Sequence, residues 1–200
     1  YKHVYPITNA VFEMGKFDTQ LLKAMEEGNE VVPISVNFSK NTLTYEALIE
    51  RIKTLYDKYP IPAGLIQIEI TETISNMDHM EVRNIANELH QMGFSISMDD
   101  FGAGFSTLSL MKTLPVDIIK LDGSFFLRNE LDAKNKAVIS AIMQLSKNLQ
   151  FETVSEGVET KEQLDFIREQ GGRCVQGFYF YKPMPAEEFE KLLKTVELEK

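Results

Sequence analysis

The chain has 200 residues, of which 44% are hydrophobic and 26% are charged, and this composition predicts one folded domain rather than a disordered chain. Its 21 Lys and Arg residues against 30 Asp and Glu residues give a formal charge of -9, which argues against DNA or an anionic membrane surface as a partner. Cys174 is the single cysteine, so an internal disulfide is excluded. Without a signal-peptide pattern or an apolar run near the roughly 20 residues of a membrane span, we expect a cytoplasmic protein, either free or as part of a membrane-tethered one.

Six short apolar runs rich in β-branched residues predict β-strands, and helical patterns surround them. The predicted strands are Val32–Phe38, Leu65–Glu72, Phe94–Asp99, Asp117–Asp122, Phe151–Glu156 and Val175–Phe180. The helical patterns are a helix capped by Asp18, the stripes Leu48/Ile52/Leu55/Tyr59, Val82/Ile85/Ala86/Leu89 and Val138/Ile142/Leu145/Leu149, a capping box at Thr160–Gln163, and a last helix with Phe189 and Val196. Because strands and helices alternate without hairpin signals, we expect parallel strands covered by helices.

Polar side chains at the carboxyl ends of the predicted strands distinguish two α/β architectures. They are Asn37, Glu69, Asp99, Asp100, Lys120, Glu156 and Gln176. An open doubly wound sheet gathers its ligand groups at one switch point, whereas a barrel brings every strand end to one rim. The pattern therefore favours a (β/α) barrel of the TIM type, of which about six of eight strands are recognisable.

The same side chains predict a metal site of hard ligands. Asn37, Glu69, Asp99, Asp100 and Glu156 offer oxygen atoms and no histidine joins them, which selects Mg²⁺ or Mn²⁺ over zinc. Carboxylates gathered on one rim repel each other unless a cation lies between them. The adjacent Asp99 and Asp100 suggest a carboxylate that bridges two ions, and Lys120 could orient or deprotonate a water molecule there.

Each of these features taken singly has an ordinary structural interpretation. A lysine at a strand end is most often solvated, an Asp-Asp pair often marks a turn or a helix cap, and Gly102-Ala-Gly104 is a weak phosphate-loop signal. Their repetition in phase on six successive strands favours a site. From the pattern alone, a Mg²⁺-dependent lyase that acts on carboxylate substrates is a further hypothesis.

Six motifs in order resemble one known family. They are S-V-N-F-S (35–39), E-I-T-E (69–72), D-D-F-G-A-G-F-S-T-L (99–108), L-P-V-D-I-I-K-L-D (114–122), S-E-G-V-E-T (155–160) and Q-G-F-Y-F-Y-K-P (176–183). Together they resemble the EAL domain, the bacterial phosphodiesterase that linearises cyclic di-GMP to pGpG, over about 15–193. The resemblance implies a modified (β/α)8 barrel whose first strand is antiparallel to the others.

The resemblance also implies roles for individual residues. By motif position, Asn37, Glu69 and Asp99 resemble the ligands of a first metal, and Asp99 would bridge to a second ion held with Asp100 and Glu156. Lys120 resembles the lysine that contacts the catalytic water, Glu159 the glutamate that anchors the loop after Asp100, and Gln176 a glutamine that lines the site. Substrate contacts are expected from Asp100, Gln176 and Pro183. Homodimers through the Phe101–Leu110 region, and upstream sensory or GGDEF domains, are further expectations.

Several positions depart from the family pattern. Phe105 replaces a usual tyrosine, Ser155 a usual alanine, and Gly123 a frequent basic residue. The Glu-Ala-Leu strand that names the family is not found in 1–14, so residues 1–200 are expected to be a domain truncated at its N-terminus and inactive by itself. A catalytically inactive cyclic di-GMP receptor or protein-docking domain is the alternative, but the six intact motifs favour a phosphodiesterase.

Overall fold

The structure, a computed structural model, describes residues 33–38, 49–50, 52–54, 57, 62–71, 79–102, 111–126, 132–185, 188–189 and 191–192. The strands are β1 (Ile34–Phe38), β2 (Ile66–Thr71), β3 (Ser95–Phe101), β4 (Ile118–Leu121), β5 (Glu152–Ser155) and β6 (Cys174–Val175). The α-helices are α1 (His79–Gln91), α2 (Ala133–Leu149) and α3 (Lys161–Glu169), and short 3-10 helices span Ala63–Leu65 and Gly123–Phe126. Residues 49, 50, 52–54 and 57 and residues 188, 189, 191 and 192 are also helical.

The six strands form one sheet in the order β1-β2-β3-β4-β5-β6, and each neighbouring pair is parallel. The sheet curls into part of a barrel, which confirms the predicted α/β barrel architecture with six strands. Because parallel strands run in one direction, the carboxyl ends of all six lie at the same rim. The antiparallel first strand implied by the resemblance is not among the strands in the described ranges.

The two faces of the sheet differ in polarity because side chains alternate along each strand. The outer face buries Ile68, Ile70, Ile96, Met98, Ile119 and Leu121 in the main hydrophobic core, together with Val82, Ile85, Ala86 and Leu89 of α1. The inner face carries the buried polar residues Gln67, Glu69, Ser97, Asp99 and Lys120, and a small apolar cluster of Ile118, Val154 and Cys174. The stripe predicted on α1 is therefore confirmed as its core face.

The stripe predicted for α2 is correct only in its middle. Ile142 and Leu145 are half-buried against the main hydrophobic core, whereas Val138 is 39% and Leu149 is 47% exposed. The fully buried residues of the helix are Ile139, Met143 and Ser146. Two neighbouring stripes of α2 are apolar, and helical spacing by itself favours neither. The packing of α2 against the sheet decides, because only one stripe can face β5.

Capping residues fix the helix boundaries, as predicted at Thr160 and Gly93. Thr160 and Gln163 form the predicted capping box at the start of α3, where the Thr160 hydroxyl accepts a hydrogen bond from the Gln163 backbone N–H. Asp132 caps α2 in a similar way by accepting a hydrogen bond from the Asn135 backbone N–H at 2.6 Å. After α1, Gly93 adopts a left-handed φ of 91°, which ends the helix before β3 begins.

The last strand is shorter than predicted. β6 ends at Val175, and 178–180 form a turn in which the Phe180 backbone N–H donates to the Gly177 carbonyl. The Tyr179 backbone N–H donates to the Val158 carbonyl instead of to a strand partner, so only Val175 of the apolar run V-Q-G-F-Y-F belongs to the strand.

The remaining helical predictions are tested only in part. The helix at Asp18, the stripe positions Leu48, Leu55 and Tyr59, and Val196 lie outside the described residues. Within the described residues, no helix is both long enough and apolar enough to cross a membrane.

Candidate metal and catalytic site

Lys120 lies at the centre of the inner face and is surrounded by carboxylates. Its side chain is 4% exposed, and its Nζ lies 2.8 Å from Glu69 Oε1, 2.8 Å from Asp99 Oδ1 and 2.8 Å from Glu156 Oε1. The contact with Asp99 is a hydrogen bond that Lys120 donates. The three carboxylates come from β2, β3 and the residue directly after β5, so the sheet itself assembles the cluster.

An irregularity in β3 brings two consecutive aspartates to the rim. The register between β3 and β4 shifts between Met98 and Phe101, so Asp99 and Asp100 together lie opposite Lys120 alone. Asp100 has a left-handed φ of 55°, a conformation that aspartate tolerates better than most residues. In a regular strand the two side chains would point to opposite faces. The shift instead places carboxylate oxygens of Asp99, Asp100 and Glu156 within 4.8 Å of one another.

A close approach of two glycines supports the position of Glu156. Gly157 follows it with a left-handed φ of 69°, and a Cβ atom at Gly157 would lie 2.9 Å from the Cα of Gly123. The segments after β4 and β5 therefore meet backbone to backbone next to the site. At Gly123, where the family that the sequence resembles often has a basic residue, the Cβ position lies 3.5 Å from the Cα of Gly157.

The charges in the cluster are strongly coupled. Burial by itself lowers the pKa of Lys120, but Glu69, Glu156 and Asp99 outweigh it, so the net pKa of this lysine lies above its ordinary value. Burial also raises the pKa of Glu156, and the opposing effect of Lys120 is smaller. The pKa of Asp100 is raised by burial and then by the charge of Asp99.

These residues fit a divalent metal ion of the magnesium or manganese type. The group Asp99, Asp100 and Glu156 presents three oxygen ligands in close proximity, and all are hard donors. The raised pKa values of Asp100 and Glu156 show that the site disfavours additional negative charge, and a cation would relieve that cost.

The other site residues predicted from the sequence are more exposed than Lys120. Asn37 on β1 is exposed and is in register with Glu69, so both occupy the inner face. Gln176 is half-buried, and its Oε1 has no hydrogen-bond partner among the described residues. Glu159 and Pro183 are exposed, and within the described ranges neither side chain forms an ion pair or a hydrogen bond with the cluster. The Phe101–Leu110 segment is described only at Phe101, the buried end of β3, and Gly102.

Sequence reasoning missed three polar residues that belong to the surroundings of the site. Gln67 and Ser97 are buried on the inner face beside Glu69 and Asp99, and two-residue alternation in I-Q-I-E and S-I-S-M-D would have placed them there. Asp122 follows β4, accepts a hydrogen bond from the Ser124 backbone N–H at 2.9 Å, and helps to raise the pKa of Asp100.

Comparison with known proteins gives consistent matches. A sequence profile described as "EAL domain" matches residues 6–183. "Cyclic di-GMP phosphodiesterase NbdA" from Pseudomonas aeruginosa is 30% identical over 168 residues, and the match covers 84% of this chain but 22% of that protein. The chain thus spans about a fifth of this relative's length.

Solved structures resemble the fold closely. The EAL domain of DcpA from Mycobacterium smegmatis superposes with a TM-score of 0.80 at 29% identity, covering 91% of this chain and 84% of that one. BlrP1 from Klebsiella pneumoniae, solved as a manganese/cyclic di-GMP complex, superposes with a TM-score of 0.69 at 26% identity, covering 84% of this chain and 43% of that one.

Proposed function

This chain belongs to the EAL domain family, and from that premise we propose that it contributes the catalytic centre of a metal-dependent phosphodiesterase that hydrolyses cyclic di-GMP to linear pGpG. The observation that supports this most directly is the buried Lys120 with Glu69, Asp99 and Glu156 within 2.8 Å of its Nζ, at the rim where the strands end. The relative from Pseudomonas aeruginosa is named as a phosphodiesterase of this dinucleotide, and the structure from Klebsiella pneumoniae contains it together with manganese.

In this proposal the acidic residues, together with Asn37, hold two Mg²⁺ or Mn²⁺ ions. Asn37, Glu69 and Asp99 are assigned to one ion, and Asp99, Asp100 and Glu156 to the other. When bound, the metals would activate water and neutralise the negative charge that develops on the phosphate. The short distances among Asp99, Asp100 and Glu156 support their sharing one cation.

Lys120 is assigned to the attacking water molecule. With its pKa raised by the surrounding carboxylates, the lysine carries a proton and donates hydrogen bonds, so we expect it to orient the water rather than to accept a proton from it. Water adds to phosphorus, one phosphodiester P–O bond breaks, the released ribose oxygen takes up the proton that the water loses, and the ring opens to the linear dinucleotide. The low exposure of Lys120 keeps bulk water away from the ammonium group.

Further residues are assigned to the substrate and to regulation. Gln176, whose Oε1 has no hydrogen-bond partner in the described part of the chain, is proposed to contact the dinucleotide, together with Asp100 and Pro183. Glu159 is proposed to anchor the loop after Asp100. A homodimer through the Phe101–Leu110 region and upstream sensory or GGDEF domains complete the proposal.

The test is a chromatographic assay of pGpG formation by the full-length protein with Mg²⁺ or Mn²⁺ and with a chelator. We expect turnover only with the metal, and Asp99→Asn should lower the rate on the order of 10³-fold, because several kcal/mol of transition-state stabilisation depend on that charge. Asp117→Asn is the matched control. Asp117 lies directly before β4, at the opposite end of the strand from the cluster, and an asparagine there can still accept the hydrogen bond from the Ile96 backbone N–H.

The alternative predicts a different result in the same assay. A receptor that has lost catalysis would bind cyclic di-GMP without converting it, and Asp99→Asn would leave the product level unchanged. Turnover at the full rate in the presence of chelator would contradict the metal-dependent mechanism.

A further inference from the structure

The side chain of Gln163 is a buried amide that hydrogen-bonds to two separate segments of the chain. Gln163 lies in the first turn of α3 and is 2% exposed. Its Oε1 accepts hydrogen bonds from the backbone N–H groups of Glu159 at 2.7 Å and of Thr160 at 3.0 Å. Its Nε2 donates a hydrogen bond to the Phe126 carbonyl at 3.1 Å. The amide therefore joins the segment after β5 to the segment after β4.

The hydrogen bond to Phe126 is not needed to start the helix. In a capping box, the third residue of the helix accepts a hydrogen bond from the backbone N–H of the cap residue, and glutamate serves there as well as glutamine. An ionised glutamate donates no hydrogen bond, whereas the glutamine amide can donate two. Because Gln163 uses its amide to reach Phe126, it makes a contact that helix capping by itself does not explain.

The two segments that Gln163 joins adjoin residues of the candidate metal site. Residues 122–126 directly follow β4, which carries Lys120, and residues 156–159 directly follow β5 and begin with Glu156. Lys120 Nζ and Glu156 Oε1 lie 2.8 Å apart. We therefore expect the spacing of the two segments to set where the Glu156 carboxylate lies in the cluster.

At their closest approach, the two segments meet through glycines. A Cβ atom at Gly157 would lie 2.9 Å from the Cα of Gly123, so backbone packs against backbone there. The Glu156 backbone N–H also donates to a backbone group, the Leu121 carbonyl at 3.0 Å. Because glycine has wide conformational freedom, the contact between the two glycines restrains the backbone only weakly. The hydrogen bonds of Gln163 add a directional restraint from a buried side chain two residues after Gly157.

We propose that Gln163 is a positioning residue for Glu156: its amide bridges the segments after β4 and β5 and thereby fixes where the Glu156 carboxylate binds a divalent metal. The inference rests on the proposed function, in which Glu156 is a metal ligand. Residues that orient the ligands of a metal typically contribute about 10–100-fold to its affinity. Because Gln163 acts through the backbone of 156–159, we expect the lower end of that range.

The experiment compares three variants of the full-length protein with wild type. Gln163→Met removes every hydrogen bond of the side chain, whereas Gln163→Glu keeps the capping box but as a carboxylate cannot donate to Phe126. Thr160→Ala is the matched control, because it removes the other hydrogen bond of the capping box, which the Gln163 backbone N–H donates, and retains the amide. Mn²⁺ affinity is measured by isothermal titration calorimetry. Unfolding in urea and hydrogen exchange of 156–159 by mass spectrometry are measured in a chelator.

We expect Gln163→Met and Gln163→Glu to weaken Mn²⁺ binding about 10-fold and to speed up hydrogen exchange in 156–159. Thr160→Ala should lower the free energy of unfolding but bind Mn²⁺ as the wild type does. The added negative charge in Gln163→Glu would by itself strengthen the binding of a cation. Weaker binding by this variant would therefore come from the lost bridge.

Each other outcome overturns a specific statement. Wild-type Mn²⁺ affinity in Gln163→Met would overturn the role of Gln163 and leave the phosphodiesterase proposal intact. Wild-type affinity in Gln163→Glu, or an equal loss in Thr160→Ala, would assign Gln163 to helix capping and overturn the bridge. If Gln163→Met did not fold, the affinity of Gln163→Glu would decide between the bridge and the cap. Failure of the wild-type protein to bind Mn²⁺ would overturn the proposed function itself.

Discussion

The inner and outer faces of the same six strands have opposite chemistry. On β4, Ile119 and Leu121 point into the main hydrophobic core, while the intervening Lys120 points inward to three carboxylates. On β3, Ile96 and Met98 pack outward, and Ser97 and Asp99 lie on the inner face. All of these residues are buried, so the extent of burial does not distinguish the two faces. The faces differ in the residues that surround each side chain.

The difference shows how this sheet separates stability from function. The outer face is buried by apolar contacts with the helices, which favour folding without directional constraints. On the inner face, each carboxylate and the lysine are desolvated, and every one depends on the others for compensation. Substitutions on the two faces should therefore act through different interactions. A substitution on the outer face should remove apolar packing, and a substitution on the inner face should leave a buried charge without its partner.

The largest effect should come from Lys120→Met. This substitution leaves Glu69, Asp99 and Glu156 buried without their common cation, and breaking a buried ion pair in this way costs about 3–5 kcal/mol. We expect the free energy of urea unfolding in a chelator to fall by that amount. Mn²⁺ should recover part of the loss, because a ligand that binds only the folded state stabilises it.

Lys161→Met is the control for this substitution. Lys161 on α3 makes an exposed ion pair with Asp165 at 2.6 Å, and its removal should leave the unfolding curve unchanged. If the two variants unfolded alike, Lys120 would not be the counter-charge of the inner face, and the contrast between the faces would be lost.

An intermediate effect is expected from Ile119→Val, one residue away on the outer face. Ile119 is fully buried, and removal of one methylene group there should lower the free energy of unfolding by about 0.5–1.5 kcal/mol. Mn²⁺ affinity and the rate of pGpG formation per folded molecule should remain at wild-type values. A marked change in metal affinity would indicate that the two faces are coupled and would contradict their separation.

The smallest effect should be a change in the pH dependence of the free energy of unfolding when Glu156 on the inner face is replaced. Since burial raises the pKa of Glu156 above its ordinary value of 4.5, the folded state binds this proton more tightly than the unfolded state does. Its contribution to stability is therefore present below pH 4.5 and is lost as the pH rises through the raised pKa. In a chelator, Glu156→Gln should gain stability relative to wild type as the pH increases from 4.5 to 7.5.

The exposed Glu162 on α3 provides the control for this measurement. Glu162→Gln removes only a solvent-exposed ion pair with Lys136 and should leave the free energy of unfolding close to the wild-type value. A Glu156→Gln profile parallel to that of wild type would mean that Lys120 fully compensates the burial of Glu156.

Much of the sheet could be predicted because its strands repeat a strong local pattern. The runs L-I-Q-I-E-I-T-E and D-I-I-K-L-D gave strands whose observed bounds differ from the prediction by one residue at each end. The capping box at Thr160 was equally local, since it depends on residues only three positions apart. The placement of Glu69, Asp99, Lys120 and Glu156 together followed from parallel strands that end at one rim.

Other features depended on contacts between distant residues. Two adjacent stripes of α2 are apolar, and the buried one was set by the approach of β5. β6 was too long in the prediction because the chain after Val175 pairs with Val158 rather than continuing the ladder: the Val158 backbone N–H donates to the Gln176 carbonyl, and the Tyr179 backbone N–H donates to the Val158 carbonyl. In the sequence, only the presence of two consecutive aspartates indicates the register shift that brings Asp99 and Asp100 to the same side of the site.

The sequence by itself determined the order of the strands, their parallel arrangement and the identity of the acidic residues at their ends, because side-chain periodicity and helix caps are local properties of the chain. Only the tertiary structure decided that Lys120 is the shared partner of three carboxylates and that the Gln163 amide reaches the Phe126 carbonyl in the segment after β4. The physical reason is that hydrogen bonding and charge compensation depend on distances across strands, and the curvature and register of the sheet set those distances.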